Sequence, residues 1–279
     1  MLFSQICERL QSAGIESHAE EAALLLEKFC GISRARLPLM KNTDFESEEL
    51  LSALEKRCKR YPLQYILGEW FFMNERYLVN ETTLVPRPDT EVLVSLAIER
   101  LPEGAFFADL CTGSGCVAVS TLAARKDTRA VAVELFDDTL GMAKKNASLN
   151  GVSERFVPMR ADVLLPLEMS CSIALPLDAI LSNPPYIPTK VIDTLEDEVK
   201  SEPRAALDGG NDGLLFYREI IKLHSSLLAR DGFFAFEIGF DQGEALGEIA
   251  RENGFSCEII KDYGGNDRVA FLKKTYNDN

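Results

Sequence analysis

Apolar positions recur at helical spacing through the first part of the chain, to about residue 60. Ile6, Leu10, Ile15, Ala22, Leu25, Leu26 and Phe29 fall where one face of successive helices would be buried, and Gly14 and Gly31 stand where such helices would stop. A second amphipathic stretch runs from Glu48 to Arg57, with Leu50, Leu51 and Leu54 on one side. The pattern changes near Pro62. Trp70, Phe71, Phe72, Tyr77, Val79, Thr82, Thr83 and Leu84 favour strand, and Asn74-Glu75-Arg76 sits where a hairpin turn would fall. Val85-Pro86-Arg87-Pro88-Asp89-Thr90-Glu91 then leads into a helix, with Asp89 or Thr90 as the expected N-cap. From about residue 104, apolar strands alternate with helices. The strands expected are 106–110, 130–133, 156–159, 179–182, 233–238, 257–260 and 269–272, with helices such as 139–150 and 213–229 between them. This alternation predicts an α/β fold, a mainly parallel sheet with helices on both faces. The chain thus divides into a helical segment 1–61, a connector with a β-hairpin 62–85, and an α/β segment 86–279.

The 279 residues include 46% hydrophobic and 27% charged positions, an ordinary globular mix for one large or two moderate domains. No apolar run is long enough to span a membrane, and the N-terminus lacks the basic-then-apolar order of a signal peptide. Seven cysteines, Cys30, Cys58 and Cys171 among them, form no CxxC pair. That usage fits reduced thiols in a cytoplasm. The two histidines, His18 and His224, are isolated, which argues against a zinc site. A net charge of −14 makes long-range attraction to a phosphate backbone no property of the whole chain. The dense basic cluster Lys56, Arg57, Lys59 and Arg60 reads as a solvated helix face. So does the acidic run from Asp193 to Glu198.

The first α/β strand ends in Asp109-Leu110-Cys111-Thr112-Gly113-Ser114-Gly115, followed by helical Cys116-Val117-Ala118-Val119. A glycine turn between strand and helix lets a ligand approach the backbone. It is not the full GxGxxG of dinucleotide binding. Ala118 occupies the last place, which that fingerprint also accepts, so the loop alone leaves a nicotinamide cofactor open. Glu134 ends the second strand, where a carboxylate can accept from both ribose hydroxyls. Asp162 follows the third and could accept from an adenine amine. Asn183 follows the fourth. Gly113, Glu134, Asp162 and Asn183 therefore fall at four successive strand ends, on one edge of the sheet.

Asn183 opens the tetrapeptide Asn183-Pro184-Pro185-Tyr186. Each proline fixes its own φ and restricts the residue before it, so Asn183 is held extended with its carboxamide presented in one direction. Such a cup, with the flat face of Tyr186 beside it, suits a planar group bearing an NH2. A side-chain amide and the exocyclic amine of a base both qualify.

With these segments the chain resembles class I S-adenosylmethionine-dependent methyltransferases, and most closely the bacterial peptide-chain release factor N5-glutamine methyltransferases. The resemblance covers nearly the whole chain. It is carried by residues 62–68, 85–91, 109–115, 183–188, 202–207, 237–239 and 262–268. It implies a Rossmann-like methyltransferase sheet, S-adenosyl-L-methionine as cofactor and S-adenosyl-L-homocysteine as product. It implies that 1–61 recognises substrate and that 86–279 binds cofactor and carries the chemistry. The implied cofactor residues are Asp109, Cys111, Thr112, Gly113, Ser114, Gly115, Glu134, Asp162, Val163 and Asn183. The implied catalytic residues are Asn183, Pro184 and Tyr186, with Pro185 completing the substrate cup. The implied partner is a class-1 release factor, methylated on the glutamine of its Gly-Gly-Gln loop, with no stable nucleic acid partner and no membrane. Two positions depart from the family pattern: Cys111, where many relatives carry glycine, and Asn74, where glycine is common in the hairpin.

Two other readings compete. An adenine-N6 nucleic acid methyltransferase would flip a base into the same cup, but the charge of −14 and the lack of a basic recognition domain count against it. A non-catalytic release-factor-binding protein would have no need of Asn183 and the glycine loop. Arg87 and Glu91 are expected to tie the hairpin to the wall of the site, the alternative being a surface ion pair between them. Gly209-Gly210-Asn211-Asp212-Gly213 is turn chemistry that could also shape the substrate channel.

Overall fold

The computed structural model describes residues 1–45, 47–167 and 176–276. Cys171 lies outside them, and the six cysteines within them are unpaired. The chain forms two compact units, Met1–Glu69 with Leu195–Ser201, and Trp70–Thr194 with Glu202–Asn279.

The first unit is helical: α1 (Phe3–Ser12), α2 (His18–Cys30), α3 (Glu48–Cys58) and α4 (Leu63–Leu67). Ile6, Leu10, Ala22, Leu25, Leu26, Leu50 and Leu54 are fully buried, and Phe29 is half-buried. Leu51 is exposed, because one residue on from Leu50 turns about 100° around the helix axis. Gly31 ends α2 in the left-handed conformation. The basic cluster is not uniformly solvated. Arg57 is buried at 3% exposure, and its Nη2 donates to Glu21 Oε1 at 3.0 Å. Its Nη1 lies 3.1 Å from Glu198 Oε1, which Arg60 also meets at 2.9 Å. The acidic run is therefore partly neutralised. Only its end is α-helical, in α8 (Asp197–Lys200).

A two-stranded hairpin follows, β1 (Glu69–Phe72) and β2 (Glu75–Leu78), which belongs to the second unit from Trp70 onward. The turn is shorter than the sequence suggests. It is Met73-Asn74, with Met73 left-handed at φ 53°, so Glu75 and Arg76 belong to β2. Val79 to Leu84 is irregular rather than strand. A 3-10 turn over Pro88–Thr90 precedes α5 (Glu91–Arg100), and the Thr90 side chain does not cap the helix because its hydroxyl is used elsewhere.

The remaining elements are β3 (Phe106–Leu110), α6 (Cys116–Ala124), β4 (Arg129–Glu134), α7 (Asp137–Leu149), β5 (Phe156–Arg160), β6 (Leu177–Ser182), α9 (Leu215–His224), β7 (Leu228–Glu237), α10 (Gly243–Glu252), β8 (Phe255–Lys261) and β9 (Asp267–Lys274). The helix expected over 213–229 is shorter, since β7 already begins at Leu228. The sheet order is β5-β4-β3-β6-β7-β9-β8. β3 to β7 run parallel, and β9 is antiparallel to both its neighbours. Strand order reverses between β3 and β6, the crevice where such sheets bind ligands. Phe107, Val131, Ile180, Phe234 and Leu272 pack in the buried sheet core. Among the described residues, no helix is long and apolar enough to cross a membrane.

Removing the guanidinium of Arg57 leaves Glu21 buried without its counter-charge. Arg57→Ala is expected to lower stability by about 3–5 kcal/mol in chemical denaturation. A change below about 1 kcal/mol would mean the pair is effectively solvated.

Candidate active site

β3 delivers the chain into a turn with three left-handed residues in five: Cys111 (φ 59°), Gly113 (φ 56°) and Gly115 (φ 83°). The position where Cys111 departs from the family pattern is thus one that glycine occupies without strain. Hydrogen bonds hold the turn. Thr112 N donates to Val133 O at 3.0 Å, and Gly115 N to Thr112 O at 2.8 Å. Asp109 lies behind it, fully buried. Its Oδ2 accepts from Thr112 Oγ1 at 2.6 Å and from Ala118 N at 3.1 Å, while Oδ1 has no partner. Burial pushes this carboxyl up to about 7. Gly115 packs against α7, where an added Cβ would lie 3.3 Å from the Ala143 Cβ.

Glu134, at the end of β4, accepts from Gly113 N at 3.1 Å through Oε2, and from Leu135 N at 2.9 Å and Phe136 N at 3.2 Å through Oε1. Burial raises its pKa against those bonds. After β5, Asp162 Oδ1 accepts from Leu164 N at 2.9 Å. The neighbouring Val163 carbonyl can only accept, so the buried His224 donates to it through Nε2 at 2.9 Å. His224 is a core residue that holds this loop.

After β6 comes the Asn183-Pro184-Pro185-Tyr186 segment. Asn183 Nδ2 donates to Thr90 Oγ1 at 3.3 Å, and the Tyr186 hydroxyl lies 3.5 Å from Glu237 Oε1 at the end of β7. Gln242 clamps the segment from α10's N-terminus, donating to Tyr186 O at 3.0 Å and to Gly213 O at 3.2 Å. Its Oε1 accepts from Gly239 N at 2.9 Å. Gly209 and Gly213 fit directly beneath the segment. An added Cβ would fall 2.7 Å from Tyr186 Cα at the first and 2.3 Å from Tyr186 O at the second.

A cavity of about 530 Å³ opens above these strand ends, and all its wall residues belong to the second unit. Cys111, Thr112, Gly113, Ser114, Glu134, Asp162, Val163, Asn183 and Pro185 line it. Asp109, Gly115, Pro184 and Tyr186 do not. They stand behind the wall or beside it. Arg87 also lines it, but does not pair with Glu91. Arg87 binds the buried carboxylate of Glu202, whose Oε2 accepts from Val85 N at 3.0 Å. Glu91 instead accepts from Met73 N at 3.1 Å and so ties the hairpin turn to α5.

The sequence reading missed Thr90 as a neighbour of Asn183, and missed Glu237, Gln242 and Asn146. Asn146, on α7, bridges the hairpin and the glycine turn by bonding Leu78 N, Leu78 O and Ser114 O at 2.7, 3.0 and 2.8 Å. One signal was available for Glu237: like Glu134, it is an acid closing an apolar strand. Among the described residues, no cluster suits a metal ion.

Gly213 is left-handed at φ 76° as well as crowded. Gly213→Ala is expected to lose at least about 1–2 kcal/mol from conformation alone, with the clash on Tyr186 O added. Gly265→Ala, left-handed but in open space, serves as the control. Equal shifts in melting temperature for the two variants would contradict the close fit.

The N-terminal region, residues 2–68, matches the model described as PrmC N-terminal domain, and residues 93–208 match Conserved hypothetical protein 95. The chain is 38% identical over 267 residues to the release factor glutamine methyltransferase of Moorella thermoacetica, covering 93% of each protein. It is 36% identical over 269 residues to that of Caulobacter vibrioides, covering 94% of this chain and 91% of that protein. A ribosomal protein L11 methylase structure from Lactobacillus delbrueckii subsp. bulgaricus aligns over 71% of this chain and 84% of its own, with a TM-score of 0.50 and 20% identity, a likeness of fold. Identity of this extent along nearly the full chain places the protein in the release factor glutamine methyltransferase family.

Proposed function

We propose that this enzyme transfers a methyl group from S-adenosyl-L-methionine to the side-chain nitrogen of the glutamine in the Gly-Gly-Gln loop of class-1 release factors. The observation that carries this reading is the shared cavity wall: the Asn183 carboxamide stands on the same sheet edge as Glu134 and Asp162, in a chain of this family.

The residues present suit the cofactor. A cavity of about 530 Å³ is of the size that holds such a ligand. Its acidic members complement a ligand bearing ammonium and sulfonium charges. Glu134 has lone pairs left for ribose hydroxyls, Asp162 has its second oxygen for the adenine side, and the Gly113 turn admits the methionine end. When bound, the cofactor supplies an electrophilic methyl carbon. The protein supplies orientation and hydrogen bonding. A glutamine amide nitrogen is a poor nucleophile because its lone pair is delocalised into the carbonyl. Asn183 Oδ1 and the Pro184 carbonyl each accept one of its hydrogens, which orients the nitrogen and stabilises the positive charge that grows on it. The two prolines keep these acceptors fixed. Tyr186 shields the amide plane from water. The surplus proton leaves after transfer, so no strong base is needed beforehand.

The helical unit, which matches the PrmC N-terminal domain model over residues 2–68, is the part of the chain we assign to recognising the release factor. The net charge of −14 supports a protein substrate without a stable nucleic acid partner. A cytoplasmic setting fits that substrate and the unpaired cysteines.

Labelled methyl from S-adenosylmethionine is expected on a purified class-1 release factor and absent from the same factor with its Gly-Gly-Gln glutamine changed to alanine. Label on DNA or RNA instead would favour the base-methylating reading. Asn183→Ala is expected to lose most turnover, on the order of 100-fold or more, while keeping cofactor affinity.

Asp109 yields a pH prediction. Its carboxyl is raised to about 7, so it is largely neutral below that pH and ionised above it. A cationic ligand favours the ionised form. Binding below pH 7 must therefore release a proton, and cofactor affinity should fall by up to about tenfold per pH unit. Calorimetry from pH 6 to 8 reads this directly. Flat affinity across that range, or an unchanged slope in Asp109→Asn, would count against the assignment.

A further inference from the structure

Asn183 has a fixed backbone, but its terminal torsion is roughly two-fold, so the oxygen and nitrogen ends of its carboxamide can exchange places. Only one orientation serves the chemistry. With Oδ1 toward the cavity, the side chain accepts from a substrate NH2. With Nδ2 there, donors would face donors. We propose that Thr90, backed by Glu237, sets this orientation and is a positioning residue for the transfer reaction. The inference rests on the role given to Asn183 above.

Thr90 is buried at 1% exposure beside Asn183, and its Oγ1 lies 3.3 Å from Nδ2. A hydroxyl can donate or accept, so Thr90 alone does not choose between the two ends of the carboxamide. The choice depends on where its single proton goes. Burial pushes the Glu237 carboxyl up to about 7; the Thr90 hydroxyl, which faces it, favours its charged form, as does Arg268, while Asp89 opposes it. Tyr186 and Tyr217 also border this carboxyl. Glu237 is buried at the end of β7, and its Oε2 has no hydrogen-bond partner. In its ionised form Glu237 accepts only, and an unsatisfied buried carboxylate draws the nearest available donor. With the hydroxyl proton turned toward Glu237, Thr90 offers lone pairs to Asn183. The Nδ2 end is drawn there, and Oδ1 is left for the substrate. The arrangement also gives a role to a strand-ending acid that stands behind the cavity wall at Thr90 rather than in it.

The test compares kcat and KM on a release factor, together with calorimetric cofactor Kd, for wild type, Thr90→Val, Thr90→Ser, Glu237→Gln and Asn183→Ala. Valine keeps the volume and removes the hydroxyl; serine keeps the hydroxyl and removes the methyl. Thr90→Val is expected to lose about 100-fold in kcat with cofactor Kd unchanged, and Thr90→Ser to recover most of it. Glu237→Gln, whose amide can donate to Thr90 and free its proton for Oδ1, is expected to fall as well. A packing role reverses the order, with valine the milder change. Thr90→Val at or above the serine variant, or Glu237→Gln at wild-type kcat, would overturn the proposal. An inactive wild type, or an Asn183→Ala enzyme at full activity, would instead remove the reading of Asn183 on which it rests.

Discussion

The parallel register of β5, β4, β3 and β6 is the constraint on which the site depends. These four strands are neighbours in that order, and each ends on the same edge. The residue following or closing each strand is therefore delivered to one crevice: Asp162, Glu134, the Cys111–Gly115 turn and Asn183. Their side chains are not brought together by local sequence, since Gly113 and Asn183 are seventy positions apart. They meet because hydrogen-bonded strands must stay in step. A one-residue slip of any strand would turn its end to the other face of the sheet. The buried core residues that alternate along the strands oppose that slip.

On this frame the chain adds a second layer of restraint. The glycine turn is held from behind by Asp109 and from the side by Glu134 and Asn146. The Asn183–Tyr186 segment is stiffened by its prolines, supported by Gly209 and Gly213, and clamped by Gln242. Glu202 anchors Val85 and Arg87 on the facing wall. Several of these restraints are buried polar groups, so loosening one leaves an unsatisfied partner in a medium of low dielectric.

The strands were legible because each is a short apolar run between turn residues, and the observed bounds lie within a few residues of those expected, except where β7 starts several residues earlier. The strand-end positions of Gly113, Glu134, Asp162 and Asn183 followed from the same pattern. The errors lie where pattern gives way to tertiary contact. Arg57 looks like one cation in a solvated cluster, and only the fold shows that Glu21 and Glu198 enclose it. Thr90 looks like an N-cap, but its hydroxyl meets a side chain 93 positions away. Glu237 and Gln242 carry no local signature beyond their polarity. The hairpin turn was misplaced because Met73, a residue with no turn preference, adopts the left-handed conformation there.

The most direct test of the central claim is a crystal structure with S-adenosyl-L-homocysteine and a glutamine-bearing segment of a release factor. The glutamine nitrogen is expected within about 3 Å of both Asn183 Oδ1 and the Pro184 carbonyl, with Asn183 Nδ2 still on Thr90. A glutamine bound away from this edge, or Asn183 turned so that Nδ2 faces it, would contradict the account.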